Sequence, residues 1–434
     1  MTGPDAITAR FAPLHPRLVD LSLGRIERLL GELGSPHERL PPVIHVAGTN
    51  GKGSTVAFMR AILEAAGKRV HVYTSPHLVR FNERFRLSGE IVDDSRLYAA
   101  LDECERVNAG QSISVFEITT AAAFLMFSQT SADYLLLEVG LGGRYDATNV
   151  IAKPAATVIT PVSIDHPEFL GSTVDKIAYE KAGILRRGAP AIVAAQEDAA
   201  LRVIEREALL VRAPRFLADR DFHMRSENGR LVFEDHLGLL DLPQPRLAGR
   251  HQYGNAATAI AALRAVEPDL PASAFERGLL DARWPARLQR LRSGPLISQA
   301  PANAEVWLDG AHNEAGGRVL SAAMADFEEA SSRPLALICG TLTTKDTAGF
   351  LAHFKGLARE VIAVPIAGEH VARSADEVAA IATGVGLKAR AAASVAAALD
   401  LLAAETWERP PRVLIAGSLY LAGAVLEANG DAPT

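Results

Sequence analysis

Val43-Ile44-His45-Val46-Ala47-Gly48-Thr49-Asn50-Gly51-Lys52-Gly53-Ser54-Thr55 begins as an apolar run, passes through a glycine-rich turn and opens a helix. The helix is expected from Ser54 to Ala66, with Val56, Met59, Leu63 and Ala66 on one stripe and Gly67 as its stop. Strand, glycine-rich loop, then helix is the layout of a phosphate cradle, in which backbone N–H groups of the loop and helix N-terminus face an anion. Lys52 is expected to reach terminal phosphates and the Ser54 hydroxyl to hold Mg²⁺, with Asn50, Gly51, Gly53 and Thr55 completing an ATP cradle. The spacing departs from the common Walker A motif, because Gly53 separates Lys52 from Ser54. An ordinary glycine-rich turn between strand and helix is the alternative.

With 434 residues and 48% hydrophobic content, the chain is long enough for two cores. A net charge of −6 argues against nucleic-acid binding. Two cysteines, Cys104 and Cys339, make a disulfide framework unlike this chain and suit a reducing cytoplasm. The segment Met1 to Pro16 has no apolar stretch of signal-peptide type. No run approaches the roughly 18–20 apolar residues of a membrane span, so a cytoplasmic protein without membrane contact is expected.

Outward from the first stretch, a helix is expected from about Val19 to Gly34, and a strand from Arg69 to Thr74. Ser75-Pro76-His77-Leu78 and the run Arg80 to Arg86 then read as a polar, basic loop at the carboxyl end of that strand. Ligands sit there in open α/β sheets, although any single arginine could simply be solvated. Helices follow over Leu97–Asn108 and Phe116–Ser128. Tyr134-Leu135-Leu136-Leu137-Glu138-Val139 is a near-continuous apolar run, as in a parallel strand buried on both faces. Glu138 at its end is placed to reach Mg²⁺ or to be satisfied by loop amides. Ala155–Thr160 is a strand leading to Asp165-His166, and Thr173–Leu185 a helix carrying Glu180 and Lys181. Asn228-Gly229 between alternating runs signals a small antiparallel excursion within Phe216–Leu242. Tyr253 to Val266 reads as a helix. After Trp284-Pro285-Ala286-Arg287, strands at Glu305–Leu308, Leu335–Cys339, Val361–Val364 and Arg412–Ala416 alternate with helices. The fold expected is α/β with two domains. Residues 1–286 form a P-loop-type ATP-binding domain with an antiparallel excursion, and 287–434 a smaller Rossmann-like domain.

These pieces resemble the folylpolyglutamate synthase family, within the Mur ligase superfamily of ATP-dependent amide-forming enzymes. The resemblance covers roughly Val19 to Gly423. It is carried by Gly48 to Ser54, Ser75 to Leu78, Glu138 to Asn149, Asp165-His166 with Leu170-Gly171, Glu180 to Ile184, and Asp309-Gly310-Ala311-His312-Asn313. The phosphate loop alone would indicate only the superfamily. The Glu138 stretch favours the folate branch over the cell-wall ligases. The family usually has Gly-Arg where this chain has Ala286-Arg287, and nothing is carried over between Ala199 and Leu247.

The resemblance implies a ligase that joins L-glutamate to dihydropteroate and to reduced folates, with ATP as co-substrate and two Mg²⁺ ions. Ser54, Glu138 and His166 would form the metal environment, although from the residues alone His166 reads as a general base or a helix cap. Asn255, Arg287 and Asp309 match ATP-contacting positions, and His312, with Lys52 and Lys181, a catalytic group. Asp20-Leu21-Ser22-Leu23, Ser114-Val115-Phe116-Glu117 and Tyr145-Asp146-Ala147 match pterin-site elements, with Ser22 replacing a glycine; Phe116 could equally be core. Lys181 matches a carbamylated lysine that would join the metal site, whereas its sequence context reads as a surface lysine paired with a carboxylate.

The chemistry stands on its own. A carboxylate is a poor acyl donor, and transfer of the ATP γ-phosphoryl group converts it to an acyl phosphate that an amine can attack. The alternatives are a monofunctional folylpolyglutamate synthase, a ligase acting on a UDP-muramyl peptide, or a nucleotide switch. A GTPase would carry a base-reading Asn-Lys-x-Asp loop, which the sequence lacks. A monomer is expected, and the segment around Arg287 is expected to act as a hinge.

Overall fold

All five residues of Val43–Ala47 (β1) are buried, because β1 lies inside a mostly parallel sheet flanked by two other apolar strands. The computed structural model describes Phe11, Leu14 and residues 22–368 and 371–433. By internal contacts these fall into two units. The first comprises the described residues up to Arg246 together with Gln252–Arg283; the second comprises Leu247–His251 and the residues from Trp284 on. The division thus falls at Trp284, ahead of the 286/287 boundary expected from sequence.

The first unit opens with helix α1 (Gly24–Glu32), β1 and α2 (Lys52–Ala65), then β2 (Val70–Tyr73), β3 (Phe85–Leu87) and β4 (Glu90–Ile91). It continues through α3 (Asp94–Asn108), α4 (Val115–Ser128), β5 (Tyr134–Glu138), β6 (Ala156–Ile159), α5 (Pro167–Leu170), α6 (Val174–Ala182), β7 (Ala191–Val193), α7 (Asp198–Val211) and β8 (Arg215–Leu217). The sheet order is β4-β3-β2-β5-β1-β6-β7-β8, with β2, β5, β1, β6, β7 and β8 parallel. One core, built on Ile26, Leu30, Phe85, Leu101, Phe124 and Phe127, covers one side; another, on Ile177, Ile184, Ile204 and Ala208, covers α6 and α7.

The basic loop expected after β2 is in part a hairpin. Phe85 and Leu87 are buried with the half-buried Arg86 between them, and this stretch is β3, paired with β2 on one side and β4 on the other. Ser88 and Gly89, with φ of 52° and 97°, make its two-residue turn. The antiparallel excursion forms as expected: β9 (Phe222–Glu227), β10 (Arg230–Asp235) and β11 (Gly238–Pro243) make a meander turning at Asn228-Gly229, φ 49° and 75°. Helix α8 (His251–Val266) is followed by α9 (Ala272–Asp281), which the sequence pattern did not announce. It packs against α2 so closely that a Cβ on Gly278 would lie 2.4 Å from Ile62 Cγ1.

The second unit holds β12 (Gln289–Leu291), β13 (Glu305–Leu308), α10 (Glu314–Ala330), β14 (Leu335–Cys339), α11 (Thr347–Ala352) and β15 (Ala358–Ala363). α12 (Ala375–Gly384), β16 (Ala389–Ala391), α13 (Val395–Ala403), β17 (Arg412–Ala416) and α14 (Leu419–Asn429) complete it. Its sheet runs β12-β13-β17-β14-β15-β16, parallel except for β12. The short β12 and β16 and the helix α14 lay outside the expected pattern. Among the described residues no helix is long and apolar enough to cross a membrane.

Candidate active site

The phosphate loop follows β1. Gly48, at φ 149°, approaches the loop after β6 so closely that a Cβ would lie 1.8 Å from Thr160 Oγ1. Thr49 and Asn50 give their backbone N–H groups to Pro161 O at 3.0 and 3.2 Å. Thr49 Oγ1 donates to Ser163 O and accepts from Ser163 N, and Asn50 Nδ2 donates to Ser163 Oγ. Gln196 holds that second loop in turn, accepting from Val162 N and donating to Thr160 O. Gly51 then caps α2 with φ 89°, and the first helical bond runs from Thr55 N to Gly51 O. The N–H groups of Gly51, Lys52, Gly53 and Ser54 therefore lie in the unpaired first turn of a helix, oriented for an anion. Thr160, Pro161, Ser163 and Gln196 were not singled out from the sequence. Backbone carbonyls and a loop glutamine carry no type-specific signal.

Lys52 Nζ donates to Gly48 O and lies 3.8 Å from Glu138 Oε1. Ser54 and Thr55 are buried, and Thr55 Oγ1 has no hydrogen-bond partner among the described residues. Asn255 is buried on α8 with Oδ1 against Gly51, where a Cβ would meet it at 2.5 Å. Phosphate loop, Glu138 and Asn255 are thus brought together.

The loop after β5 sits on the end of α6. A Cβ on Gly143 would lie 2.7 Å from Glu180 O and 3.0 Å from Lys181 Cα, and one on Gly183 would lie 2.4 Å from Arg144 Cα. Arg144 N donates to Glu180 O, and its guanidinium lies 3.9 Å from the Tyr179 ring centroid and pairs with Glu207. Asn149 and Arg186 lace the same junction through the Gly183 carbonyl. Two backbones approach here because glycines face each other, and the junction buries Lys181. Only 5% of Lys181 is exposed, and its Nζ donates to Gly48 O at 2.9 Å. The surface-lysine alternative is therefore wrong. Burial, aided by the charge of Lys52, brings the ammonium down from 10.5 to about 7, against the opposing pull of Asp165, Asp146 and Glu180.

His166 occupies a left-handed position, φ 51°, at the start of α5, and its side chain makes no cap to that helix. Its ring lies 3.9 Å from Asp165 and 3.7 Å from Glu168. Among the described residues no three His, Cys, Asp or Glu side chains form a ready-made metal cluster.

The pterin elements separate by role. Ser114 and Glu117 form a capping box on α4, and Glu117 also pairs with Arg25 at 3.0 Å, so both residues organise the helix start. Val115 packs on the core, and Phe116 lies against the Glu138 loop, where a Cβ on Gly140 would strike its ring at 2.4 Å. Tyr145 is half exposed, whereas Asp146 and Ala147 are buried. Asp146 accepts from Leu141 N, Thr148 N and Thr148 Oγ1. Ser22 and Leu23 precede α1, with Leu23 at its N-cap; Asp20 and Leu21 lie outside the described residues.

In the second unit, Asp309 directly follows β13. Its oxygens accept from Leu288 N and Ala311 N at 2.7 Å each, and burial pushes its carboxyl up while Arg287 opposes. Ala286 and Leu288 both take left-handed backbone, φ 53° and 43°. This explains why the family pattern carries glycine at the position of Ala286. Arg287 between them folds back to Ala286 O. His312 Nδ1 faces Gly310 O at 3.0 Å and, since a carbonyl only accepts, Nδ1 is the donor. Asn313 caps α10 through Gly316 N.

The Mur ligase middle domain family matches residues 46–263, and the dihydrofolate synthetase C-terminal domain family matches residues 295–428. A dihydrofolate synthase/folylpolyglutamate synthase of Escherichia coli is 36% identical over 421 residues, covering 95% of this chain and 92% of that protein. The solved structure of Escherichia coli FolC in complex with DHPP and ADP superposes with a TM-score of 0.88 at 32% identity, covering 98% of this chain and 97% of that one. That of a bifunctional folylpolyglutamate synthase/dihydrofolate synthase from Yersinia pestis, complexed with AMPPNP and Mn ion, gives 0.86 at 31%, covering 99% and 98%. With a phosphate loop, a buried lysine beside it and two α/β units in the same order as these relatives, the chain belongs to the dihydrofolate synthase/folylpolyglutamate synthase family of Mur-type ligases.

Proposed function

We propose that this protein is an ATP-dependent ligase that joins L-glutamate to the carboxylate of dihydropteroate and of reduced folates through an acyl phosphate. The observation that carries this reading is the run of first-turn N–H groups from Gly51 to Ser54, without a partner among the described residues and flanked by Lys52, Glu138 and a buried Lys181. The cradle takes the triphosphate. The acceptor carboxylate attacks the γ-phosphorus and ADP leaves; the glutamate amine then attacks the acyl carbon, phosphate leaves and the amine gives up a proton. Lys52 neutralises charge that builds on the transferring group. Asn255 orders the loop from α8. Arg287, braced through Asp309, is assigned to the nucleotide, and His312 Nε2 to the phosphate or glutamate side.

The donors fit Mg²⁺. Ser54 and Glu138 are hard oxygen ligands, and Mg²⁺ is commonly held by one or two protein oxygens together with phosphates and water. When bound, the ion spreads the charge of the β- and γ-phosphates. Two ions are proposed, the second near Lys181 and His166. For Lys181, the neutral amine adds CO₂ and releases one proton, giving a carbamate. Its nitrogen keeps one N–H, so the bond to Gly48 O survives while two anionic oxygens extend beyond it. Phe116, with Tyr145 and Ala147, is assigned to the flat pterin, where an aromatic face can stack; Ser22 and Leu23 are assigned there with Asp20 and Leu21.

The test is a substrate panel. Purified protein with ATP, Mg²⁺ and glutamate is offered dihydropteroate, tetrahydrofolate and a UDP-muramyl peptide, and ADP release is followed. Turnover with the first two is expected. Turnover with tetrahydrofolate alone would mean a monofunctional enzyme, and turnover with the peptide alone would overturn the folate reading.

A further inference from the structure

One buried polar chain has no part in the chemistry above. His45 sits in the middle of β1, between Ile44 and Val46, and is 1% exposed. Its Nε2 lies 2.9 Å from Thr148 Oγ1, and Thr148 Oγ1 donates to Asp146 Oδ1 at 2.5 Å. Thr148 is itself fully buried. The hydroxyl has one proton, and it goes to the carboxylate; Nε2 must therefore be the donor to Thr148. Burial brings His45 down to about 3, so the ring is neutral and the polarity of the chain is fixed at physiological pH.

A histidine is an odd choice for the interior of a strand otherwise made of valine, isoleucine and alanine, since an apolar side chain would avoid desolvating the imidazole. Its backbone is held on both sides by β5 and β6, so the strand does not need the ring. Two of the ties that hold the loop from Gly140 to Asn149 run to different elements. One, through Asn149 and Gly183, fastens it to the end of α6 and sets Lys181. The other runs through Asp146, whose carboxylate gathers the Leu141 and Thr148 amides and is fastened by Thr148 and His45 to the strand that carries the phosphate loop.

We infer that His45 is a positioning residue: the donor chain His45–Thr148–Asp146 registers the acceptor-side loop against the phosphate-loop strand. The inference rests on the reading that this loop borders the pterin substrate.

The test uses variants that separate donor position from bulk. His45→Gln can put an amide N–H near the place of Nε2, His45→Asn only near Nδ1, and His45→Leu supplies none; Thr148→Ser keeps the hydroxyl and Thr148→Val removes it. Amide hydrogen exchange at Leu141 and Thr148 is read with the KM for dihydropteroate and the KM for ATP. Loss of the donor is expected to speed exchange at both amides and raise the acceptor KM by roughly tenfold, with the ATP KM within about twofold. Leu, Asn and Val variants should show this, whereas Gln and Ser variants stay close to wild type. If His45→Leu does not fold, the Thr148 pair decides on the same readouts. Equal rises in both KM values, unchanged exchange in Thr148→Val, or a Gln variant as impaired as Asn would overturn the inference. A wild-type protein inactive on dihydropteroate would sink the functional reading instead, and the exchange data would still decide the chain.

Discussion

Lys181→Met removes a cation buried against the phosphate loop of the first unit. Lys181 is held at about 7 against an ordinary 10.5. Between those values the unfolded chain binds more protons than the folded one, so stability rises with pH across the window and the full penalty applies below about pH 7. At 1.36 kcal/mol per pH unit, keeping the side chain buried costs about 4 kcal/mol at pH 7 and about 2 kcal/mol at pH 9. Methionine has no such penalty but loses the bond to Gly48 O, a loss of about 1–2 kcal/mol. The variant should therefore be more stable than wild type by roughly 2 kcal/mol at pH 7 and nearly equal to it at pH 9, while its ligase activity is lost. Urea unfolding followed by far-UV circular dichroism in CO₂-depleted buffer is the assay, because Trp284, Trp307 and Trp407 all lie in the second unit and fluorescence would not follow the first. A variant less stable than wild type by the same margin at both pH values would refute a neutral Lys181. In ordinary buffer, ¹³CO₂ should give wild type a carbamate carbon signal that Lys181→Met lacks, and a short carboxylic acid should partly rescue Lys181→Ala.

Gly48→Ala would set a Cβ 1.8 Å from Thr160 Oγ1 at a φ of 149°, so ADP affinity measured by calorimetry should fall at least a hundredfold; near-normal affinity would show that the loop is not clamped there. Glu138→Gln should raise the Mg²⁺ concentration needed for half-maximal turnover by tenfold or more while leaving metal-free ADP binding within a few-fold; an unchanged Mg²⁺ dependence would remove Glu138 from the metal site. Ala286→Gly relieves a left-handed alanine at φ 53°, worth about 1–2 kcal/mol, against about 0.5–1 kcal/mol for the freer unfolded chain. The urea midpoint of the second unit, followed by tryptophan fluorescence, should rise slightly, and a fall would mean that the strain is absent.

The local parts of the site were legible because each is written in a few neighbouring residues. The apolar run into Gly48 specifies β1 and its turn, and Asn228-Gly229 specifies a hairpin whose φ values are those the pair favours. Ser88-Gly89 makes the same kind of turn and was missed, because the flanking arginines hide the buried Phe85 and Leu87. Lys181 was misread from its immediate context for a different reason. A lysine after a glutamate in an amphipathic helix has the pattern of a solvated pair, and nothing within one helical turn contradicts it. The partner that buries Lys181 is more than thirty residues away: Gly143 admits the Glu180 carbonyl, and Arg144 beside it lies over Gly183. Both glycines have ordinary negative φ, since neither is among the positive-φ positions. Turn chemistry therefore does not explain them, whereas the absence of a side chain between two backbones does. Each glycine alone reads as a loop residue or a helix end. Only as a facing pair do they specify that an ionisable helix residue is pressed onto the carbonyl of Gly48, and a lysine pressed there is neutral enough to react. The catalytic role assigned to Lys181 is thus encoded less in the lysine than in the two glycines that remove its access to water.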